Sequence, residues 1–220
     1  MVELSNIRKS FGKLPVLNGV SMNIAGGKIV TREIFVNGQN IKDNPVYRHL
    51  IGYLPQTTRF PENLSVREFL RMIEDVRMAK GKSGELLSLF ALDRFLNKSL
   101  RNLSGGTRQK VNVVLSLMFY PSVYIMDEPT VGLDPVSRVR FKELLKKEKE
   151  NGKTLLLVTH LLSEAEELAD EIVFLMDGYI CYHGDPKVLM AEQKENTLEK
   201  AIAGMMEVST QNSNPNINSR

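Results

Sequence analysis

Two short apolar segments stand on either side of a long charged segment: Ser122–Met126 comes before it and Leu155–Thr159 follows it. Each has the length and composition of a buried strand. Val136–Glu150 has the length and composition of a helix, and Asn151-Gly152 marks its end. Parallel strands need a long crossover connection, which is usually a helix. A strand–helix–strand pattern therefore indicates two parallel strands of one sheet. We therefore predict an α/β fold with a largely parallel sheet.

The amino-terminal part has a different pattern. Alternating apolar residues predict two strands, Val2–Ile7 and Val16–Ile24, around a turn at Gly12–Pro15. After Pro61, Ser65-Val-Arg-Glu68 is a capping-box signature that opens an amphipathic helix. The same kinds of signal predict the strands Glu33–Val36, Arg48–Leu54, Ile172–Met176 and Tyr179–Tyr182, and the helices Ser65–Met78, Gly84–Phe95, Thr107–Met118 and Ser163–Ala169.

Composition limits the possible classes of function. Of the 220 residues, 42% are hydrophobic and 25% are charged, as in an ordinary globular protein. The net charge of +3 is small and the basic residues are spread among acids, so we expect no nucleic-acid partner. No apolar run approaches the ~18 residues of a membrane span, and the single Cys181 fits a reducing compartment. We therefore expect a cytosolic protein.

A glycine-rich segment, Leu103-Ser-Gly-Gly-Thr-Arg-Gln109, comes immediately before an apolar helix. Gly105 and Gly106 let the backbone approach a ligand closely. The helix behind them directs free N–H groups and a positive dipole end outward, which suits a phosphate group. The alternative interpretation is a glycine-rich turn in which Ser104 only caps the helix.

Two acids follow the apolar strand in Val123-Tyr-Ile-Met-Asp-Glu-Pro129. The carboxyl ends of parallel strands are where ligands bind in open α/β sheets. Asp127 can hold a metal ion there, and Glu128 can orient or deprotonate a water molecule. Asp134 begins the next helix and His160 ends the next strand. Taken alone, each of these side chains also fits a structural role, as an acidic turn, a helix cap or a structural histidine.

Two further positions are candidates for ligand contacts. Gln56 follows the strand Gly52–Leu54, and its amide oxygen could bind Mg²⁺. Phe11, in Lys9-Ser-Phe-Gly12, could stack on an adenine ring. A loop glutamine without a role and an ordinary turn aromatic are the alternatives.

Taken in chain order, these motifs resemble the ATPase subunit of ATP-binding cassette (ABC) transporters. The resemblance runs from about residue 2 to residue 190 and implies bound ATP and Mg²⁺. It implies an ABC ATPase fold: a RecA-like core, an amino-terminal antiparallel β region and a helical subdomain over about residues 61–101. The domain would span residues 1–206, followed by a disordered tail over 207–220.

The resemblance also implies a role for each candidate residue. Asp127 and Gln56 would bind the metal, and Glu128, His160 and Asp134 would be catalytic. The residues that would contact the nucleotide are Phe11, Gln56, Ser104, Gly105, Gly106 and Gln109. ATP would lie between two such subunits and drive a separate membrane permease, with the subunits peripheral on the inner face of the cell membrane.

The phosphate-binding loop of this family is missing from the chain. The pattern G-x-x-x-x-G-K-S/T would need a glycine where Met22 stands and a hydroxyl residue where Ile29 follows Gly27-Lys28. In the family, a strand like Lys28-Ile-Val30 runs into the loop and a core helix, but here Thr31 follows Val30 directly. A strand–crossover–strand unit needs roughly 30 residues or more. We expect the P-loop and the first core helix to be absent between residues 30 and 31.

Three explanations of this loss are open. The first is an inactive subunit that contributes only its Ser-Gly-Gly motif to ATP held by a partner. The second is an excised or mis-assembled form of an ordinary ATPase, and the third is a protein with a role that involves no nucleotide. The presence of Gln56, Asp127, Glu128 and His160 favours excision, because a long-retired site has no physical reason to keep all four.

The sequence says little about the transported substrate. Thr57–Val66 and Thr197–Ala203 are similar to segments of the ATPase of the copper- or sulfur-handling exporter used in nitrous-oxide reductase maturation.

Overall fold

The computed structural model describes residues 2–11, 14–24, 35–36, 39–40, 45–57 and 59–212. The predictions made for the turn at Gly12, for the segment 25–34 with its Val30–Thr31 junction, and for the end of the tail at 213–220 fall outside these residues. Contacts divide the chain into two compact units. The first unit comprises Met1–Ser5 with Ser21–Val158, and the second comprises Asn6–Val20 with Thr159–Arg220.

The described residues form strands and helices, which are numbered separately along the chain. The strands are β1 (Val2–Phe11), β2 (Leu14–Ile24), β3 (Phe35–Val36), β4 (Gln39–Asn40), β5 (Ile51–Leu54), β6 (Val123–Asp127), β7 (Thr154–Val158), β8 (Ile172–Met176) and β9 (Tyr179–Gly184). The α-helices are α1 (Val66–Arg77), α2 (Ser83–Leu89), α3 (Gly105–Leu117), α4 (Pro135–Glu150), α5 (Leu162–Leu168), α6 (Pro186–Gln193) and α7 (Leu198–Asn212). Short 3₁₀ helices lie at Pro45–Leu50, Asp93–Phe95 and Leu100–Asn102.

A parallel sheet of order β5-β6-β7 forms the centre of the first unit. Its register aligns Leu54 with Met126 and Met126 with Leu157. The strands β6 and β7 are joined through α4, as the strand–helix–strand pattern predicted. The α/β fold with a parallel core is therefore confirmed.

The two faces of this sheet carry alternate residues of each strand. Leu54, Tyr124 and Met126 point to one face and are 0% exposed. A side chain at Gly52 on this face would meet the Ser116 carbonyl oxygen of α3 at 2.5 Å and the Tyr124 ring at 2.7 Å. Gly52 therefore lets α3 pack closely on what we call the helix-covered face. The opposite side, called the second face, carries Ile51, Tyr53, Val123, Ile125, Leu156 and Val158.

The amino-terminal strands form an antiparallel region, as expected. The sheet has the order β2-β1-β3-β4. Within the first unit, Val2 of β1 pairs with Val36 of β3, and Phe35 pairs with Asn40 of β4, both antiparallel.

The predicted capping box begins α1. The Ser65 hydroxyl accepts a hydrogen bond from the backbone N–H of Glu68, and the Glu68 carboxylate accepts one from the backbone N–H of Ser65 at 2.8 Å. The predicted helix Gly84–Phe95 is wrong as a continuous element, since α2 ends at Leu89 and Ala91 has a φ of 53°. A left-handed residue cannot continue an α-helix.

Several boundaries differ from the sequence prediction, including the following three. Arg48–Leu50 belong to a 3₁₀ helix rather than to the strand, which begins at Ile51. Helix α3 begins at Gly105, because Ser104 serves as its N-cap. The predicted helix Ser163–Ala169 is observed as α5, which begins at Leu162, and its N-cap residue Leu161 makes no side-chain cap hydrogen bond.

The second unit has its own small core. The antiparallel pair β8–β9, predicted around Asp177-Gly178, is confirmed. Leu189, Leu198, Ala201 and Ile202 are buried together where α6 meets α7. Helix α7 continues to Asn212, although residues from 207 onward were expected to be disordered. Among the helices that the structure describes, none combines the length and hydrophobicity of a membrane span.

Candidate functional site

The two acids predicted at the end of β6 lie at the carboxyl edge of the parallel sheet. Asp127 is the last residue of β6 and pairs with Val158 of β7. Glu128 follows with a φ of 49°, and its N–H donates to the Val158 carbonyl at 2.8 Å. The backbone therefore turns sharply after Asp127. The two neighbouring carboxyl groups differ in burial, since Glu128 is 8% exposed whereas Asp127 is half-buried.

Gln56 lies at the same edge of the sheet. It is two residues beyond Leu54, whose partner in the register is Met126 of β6. The carbonyl of the preceding residue, Pro55, accepts a hydrogen bond from the Asn112 side chain of α3 at 3.1 Å. Asn112 is buried, so this bond anchors the end of β5 to α3. The exposed amide of Gln56 and the two acids are thus carried by adjacent parallel strands.

The glycine-rich segment forms the amino-terminal end of α3. The Ser104 hydroxyl accepts from the Thr107 N–H at 3.4 Å and lies 2.9 Å from the Thr107 hydroxyl. A side chain at Gly105 would enter open space, whereas one at Gly106 would meet the Gly132 carbonyl oxygen at 2.9 Å. The first glycine therefore keeps the helix end accessible, and the second permits close packing. The accessible amino-terminal end of this thirteen-residue helix favours an anionic ligand.

Two polar contacts join α3 to the loop after β6. The Gln109 amide donates to the Pro129 carbonyl at 3.1 Å. Lys110 Nζ lies 2.6 Å from Asp134 Oδ2. With the Gly106–Gly132 approach, these contacts tie the first two turns of α3 to the loop that carries Glu128. The side-chain amide of Gln109, predicted to contact nucleotide, is thus engaged inside the chain.

Asp134 forms the N-cap of α4 as well as the ion pair. Its carboxylate accepts from the Ser137 N–H at 2.9 Å and from the Ser137 hydroxyl at 2.8 Å. The hydrogen bond from Lys110, followed by those from Ser137, holds the pKa of Asp134 well below its usual range. Lys110 was not predicted from the sequence. The sequence shows only that Lys110 and Asp134 have opposite charges. The ion pair between them can be recognised only in the folded chain, where α3 lies beside the loop.

Two predicted residues belong to the second unit. His160 comes two residues after the end of β7 and is exposed. Phe11 is the last residue of β1. The convergence of His160 with Asp127 and the adenine contact of Phe11 stay predictions.

Comparisons with known proteins agree with this geometry. The family model described as "ABC transporter" matches residues 16–131. The Nod factor export ATP-binding protein I of Rhizobium meliloti (strain 1021) is 30% identical over 87% of this chain and 66% of its own length. The lantibiotic transport ATP-binding protein SrtF of Streptococcus pyogenes is 28% identical over 82% of this chain and 89% of its own.

Solved structures show the same fold. An ATP-binding subunit of an ABC transporter superposes with a TM-score of 0.84 at 24% identity, over 93% of this chain and 99% of that one. The ATP-binding cassette MJ0796, in a dimeric post-hydrolysis state with ADP and Pi, has a TM-score of 0.72 at 24% identity, over 84% of this chain and 98% of that one.

This chain has fewer residues than the number of positions in its alignments with these two relatives. The alignment with the Nod factor protein covers 224 positions, but 87% of 220 residues is about 191, so about 33 positions have no residue of this chain. For SrtF, 206 positions contain about 180 residues (82% of 220), a deficit of about 26. Such a number matches a missing strand–loop–helix segment of roughly 30 residues. With a family model that matches more than half of its length, the chain belongs to the ABC transporter family, among its ATP-binding subunits.

Proposed function

We propose that this chain is one of two ATPase subunits that bind ATP between them and energise a separate membrane permease. The observation that carries the proposal is the pair Asp127–Glu128 at the carboxyl edge of the parallel sheet, on a loop tied to the amino-terminal end of α3. One side of the subunit thus supplies acids for metal and water, and α3 supplies a phosphate-binding helix end.

The proposed roles follow from the chemistry of each group. Asp127 and Gln56 hold Mg²⁺, which binds proteins through one or two side-chain oxygens together with nucleotide phosphates. Glu128 orients or deprotonates the attacking water. His160 contacts the γ-phosphate, Asp134 fixes the loop at the subunit boundary, and Phe11 stacks on adenine.

The Ser-Gly-Gly motif at residues 104–106 serves the nucleotide of the other subunit. Ser104, Gly105 and Gly106 present the end of α3 to the phosphates, and the open space beside Gly105 supports this role. Gln109 positions this helix end indirectly, because its side-chain amide donates a hydrogen bond to the Pro129 carbonyl.

A second function is favoured by the missing P-loop. No segment of the sequence matches G-x-x-x-x-G-K-S/T, and the alignments lack about 26 and 33 positions. In this second function, the subunit hydrolyses no ATP of its own and contributes only Ser104–Gly106 to ATP that its partner holds.

ATPase assays distinguish the two functions. The chain is assayed alone and together with the P-loop-bearing ATPase subunit encoded beside the same permease. Ser104→Ala in this chain should slow the mixture in both cases, whereas Glu128→Gln should slow it only if this chain's own site turns over. Turnover that neither substitution changes would refute both functions.

The permease partner is proposed to contact the segment Pro61–Met78 on the cytoplasmic side of the membrane. Three apolar side chains of this segment are exposed, with Met72 at 38%, Val76 at 74% and Met78 at 95%. Charge reversal at Glu62 or Arg67, both exposed, should weaken co-purification with the permease. Unchanged co-purification would argue against this contact. Handling of copper or sulfur compounds stays a proposal from the sequence likeness.

A further inference from the structure

A cleft between α2 and α4 of the first unit contains none of the residues assigned to the nucleotide or to the permease. Its volume is about 620 Å³, and its walls come from α2, from α4, from the segment that follows α4 and from Tyr120. Ligand-binding clefts typically have volumes of ~300–1,000 Å³. The cleft is therefore large enough to bind a small organic molecule.

Part of the lining of this cleft is apolar. Leu86 and Leu89 of α2 and Leu144 of α4 line it. Leu89 and Leu144 are only half-buried, so they still present apolar surface. Tyr120, which is 70% exposed, adds an aromatic side chain. A ligand that fits this lining has an apolar body, because its burial removes apolar surface from water.

Two charged groups of the lining neutralise each other. Lys82 Nζ lies 2.6 Å from Glu148 Oε1, and the two side chains are only 11% and 7% exposed. The same Nζ lies 5.2 Å from the centroid of the Tyr120 ring. This pair forms a wall of the cleft and contributes no net charge to it.

Lys147 and Lys153 are the other cations of the lining. Lys147 lies in the last turn of α4, and Lys153 follows the end of this helix. Among the described residues, neither ammonium group has a hydrogen-bond or ion-pair partner, and neither does the carboxylate of Glu85, the remaining charged group of the lining. Two cations and one acid leave a net charge of +1, which favours a ligand with a single negative charge.

We propose that this cleft binds a small organic anion with an extended apolar body, such as a medium-chain fatty acid. The hydrocarbon chain packs on Leu86, Leu89 and Leu144. The carboxylate accepts charge-assisted hydrogen bonds from Lys147 and Lys153, and a single negative charge matches the net charge of the lining better than a phosphate dianion does. The bound anion joins α2 to α4. The proposal depends on this cleft alone and not on ATP turnover.

The test titrates the chain as it is with decanoate below the concentration at which decanoate forms micelles. Calorimetry measures binding, and thermal unfolding measures Tm. We expect saturable binding at one site and a rise in Tm, because the ligand binds the folded state. Decanol lacks the charge and decyltrimethylammonium has the opposite charge, so both should bind at least about fivefold more weakly. Acetate, which has no apolar body, should not bind.

Substitutions locate the binding to the cleft. Lys147→Glu and Lys153→Glu should each weaken decanoate binding by about five- to tenfold, since each replaces an attractive charge with a repulsive one. Lys187→Glu makes the same charge change at an exposed lysine of α6 in the second unit and is the matched control. Leu144→Trp fills the cleft without removing a charge and should abolish binding. Circular dichroism checks that each variant keeps its helix content.

The second face of the parallel sheet is a competing apolar surface for decanoate. Val158 on this face is 52% exposed, and Val158→Asn should leave decanoate binding unchanged. Binding that Val158→Asn weakens, and that Lys147→Glu and Lys153→Glu do not, would place the ligand on the sheet and overturn the proposal. Decanol that binds as tightly as decanoate would also overturn it, because the two lysines would then select no charge. The absence of saturable decanoate binding would refute the site altogether.

Discussion

At the scale of single residues, the Tyr124 hydroxyl has an unusual environment. The side chain is 0% exposed, and among buried polar atoms of the described chain this oxygen has no hydrogen-bond partner. Burial, followed by the charge of the Glu148 carboxylate, raises the pKa of Tyr124 above its ordinary value. A weak hydrogen-bond interaction with the same carboxylate adds to this rise in pKa. No bond of ordinary length and angle joins the two groups, so the hydroxyl stays protonated and its desolvation is compensated only in part.

We predict that Tyr124→Phe stabilises the protein. An unsatisfied buried polar group costs about 1–3 kcal/mol, so its removal should raise the free energy of unfolding by about 1 kcal/mol. Urea denaturation of both proteins measures the difference. Tyr120→Phe is the control, because Tyr120 is 70% exposed. A loss of stability in Tyr124→Phe would mean that the hydroxyl has a partner in solution.

The low pKa of Asp134 predicts a pH-dependent contribution to stability. A carboxyl group whose pKa is lower in the folded than in the unfolded protein stabilises the fold above its unfolded pKa of about 3.9. That contribution is lost as the pH falls below this value. Asp134→Asn keeps an oxygen for the N-cap but loses the charge that faces Lys110.

We expect Asp134→Asn to lower the free energy of unfolding at pH 7 by no more than about 1 kcal/mol, because the side chain is 46% exposed and solvent screens the pair. The difference from the unsubstituted protein should shrink between pH 4 and pH 2. Denaturation curves at pH 7, 4, 3 and 2 test this. A difference that stays constant over this range would show that the ion pair contributes nothing.

At the scale of secondary structure elements, two adjacent glycines of α3 differ in their surroundings. We predict that Gly106→Ala destabilises the protein by about 1–3 kcal/mol, because its methyl group would press on the Gly132 carbonyl oxygen at 2.9 Å. Gly105→Ala should be neutral or slightly stabilising, since alanine favours a helix and the space beside Gly105 is open. Thermal unfolding of the two variants compares them directly.

The two variants separate packing from ligand contact. In the complex with a P-loop-bearing subunit, Gly105→Ala should slow ATP turnover without loss of stability, because its methyl group occupies the space proposed for phosphate. Equal destabilisation by both substitutions would contradict the close approach of α3 to Gly132.

The sequence predicted elements whose signal lies within themselves. The strands β6 and β7 and the helix α4 were predicted because apolar runs, an N-cap acid and a terminal Asn-Gly mark them locally. The break at Ala91 and the change from 3₁₀ helix to strand between Leu50 and Ile51 were missed, because none of these three positions is a glycine or proline. Among the site residues, Asp127 and Glu128 could be placed by strand polarity alone. Lys110 could not, because its partner Asp134 is 24 residues away and comes close only in the folded chain.

At the scale of the whole molecule, the composition of the parallel core explains why the chain keeps its fold without the P-loop segment. The helix-covered face buries large side chains from β5 and β6 completely. Several side chains on the second face are partly exposed. Each contributes less than the ~1.5–3 kcal/mol that a fully buried apolar side chain contributes to stability. Since total stability is only ~5–15 kcal/mol, we expect the chain to be less stable than its relatives.

The last prediction concerns ATP. We expect the chain by itself to show no saturable binding of MgATP up to about 1 mM, the upper end of usual KM values, and no hydrolysis. A P-loop supplies a nest of backbone N–H donors, a lysine for the β- and γ-phosphates and a hydroxyl for Mg²⁺. Loss of one such donor slows a reaction by about 10²–10³, and this sequence lacks the loop as a whole. Lys28 does not replace it, because Met22 stands where the first glycine is needed and Ile29 where the hydroxyl is needed.

Calorimetric titration and phosphate release measure binding and turnover, with Lys28→Ala as the control. The substitution should change neither result, since Gly26-Gly27-Lys28 is too short to form a phosphate nest. Binding or turnover that Lys28→Ala abolishes would show that this remnant holds the phosphates after all. Activity that appears only when the missing segment is restored would identify that segment as the source of the phosphate site, because the acids at the end of β6 and the helix end at Ser104 are present in both forms of the chain.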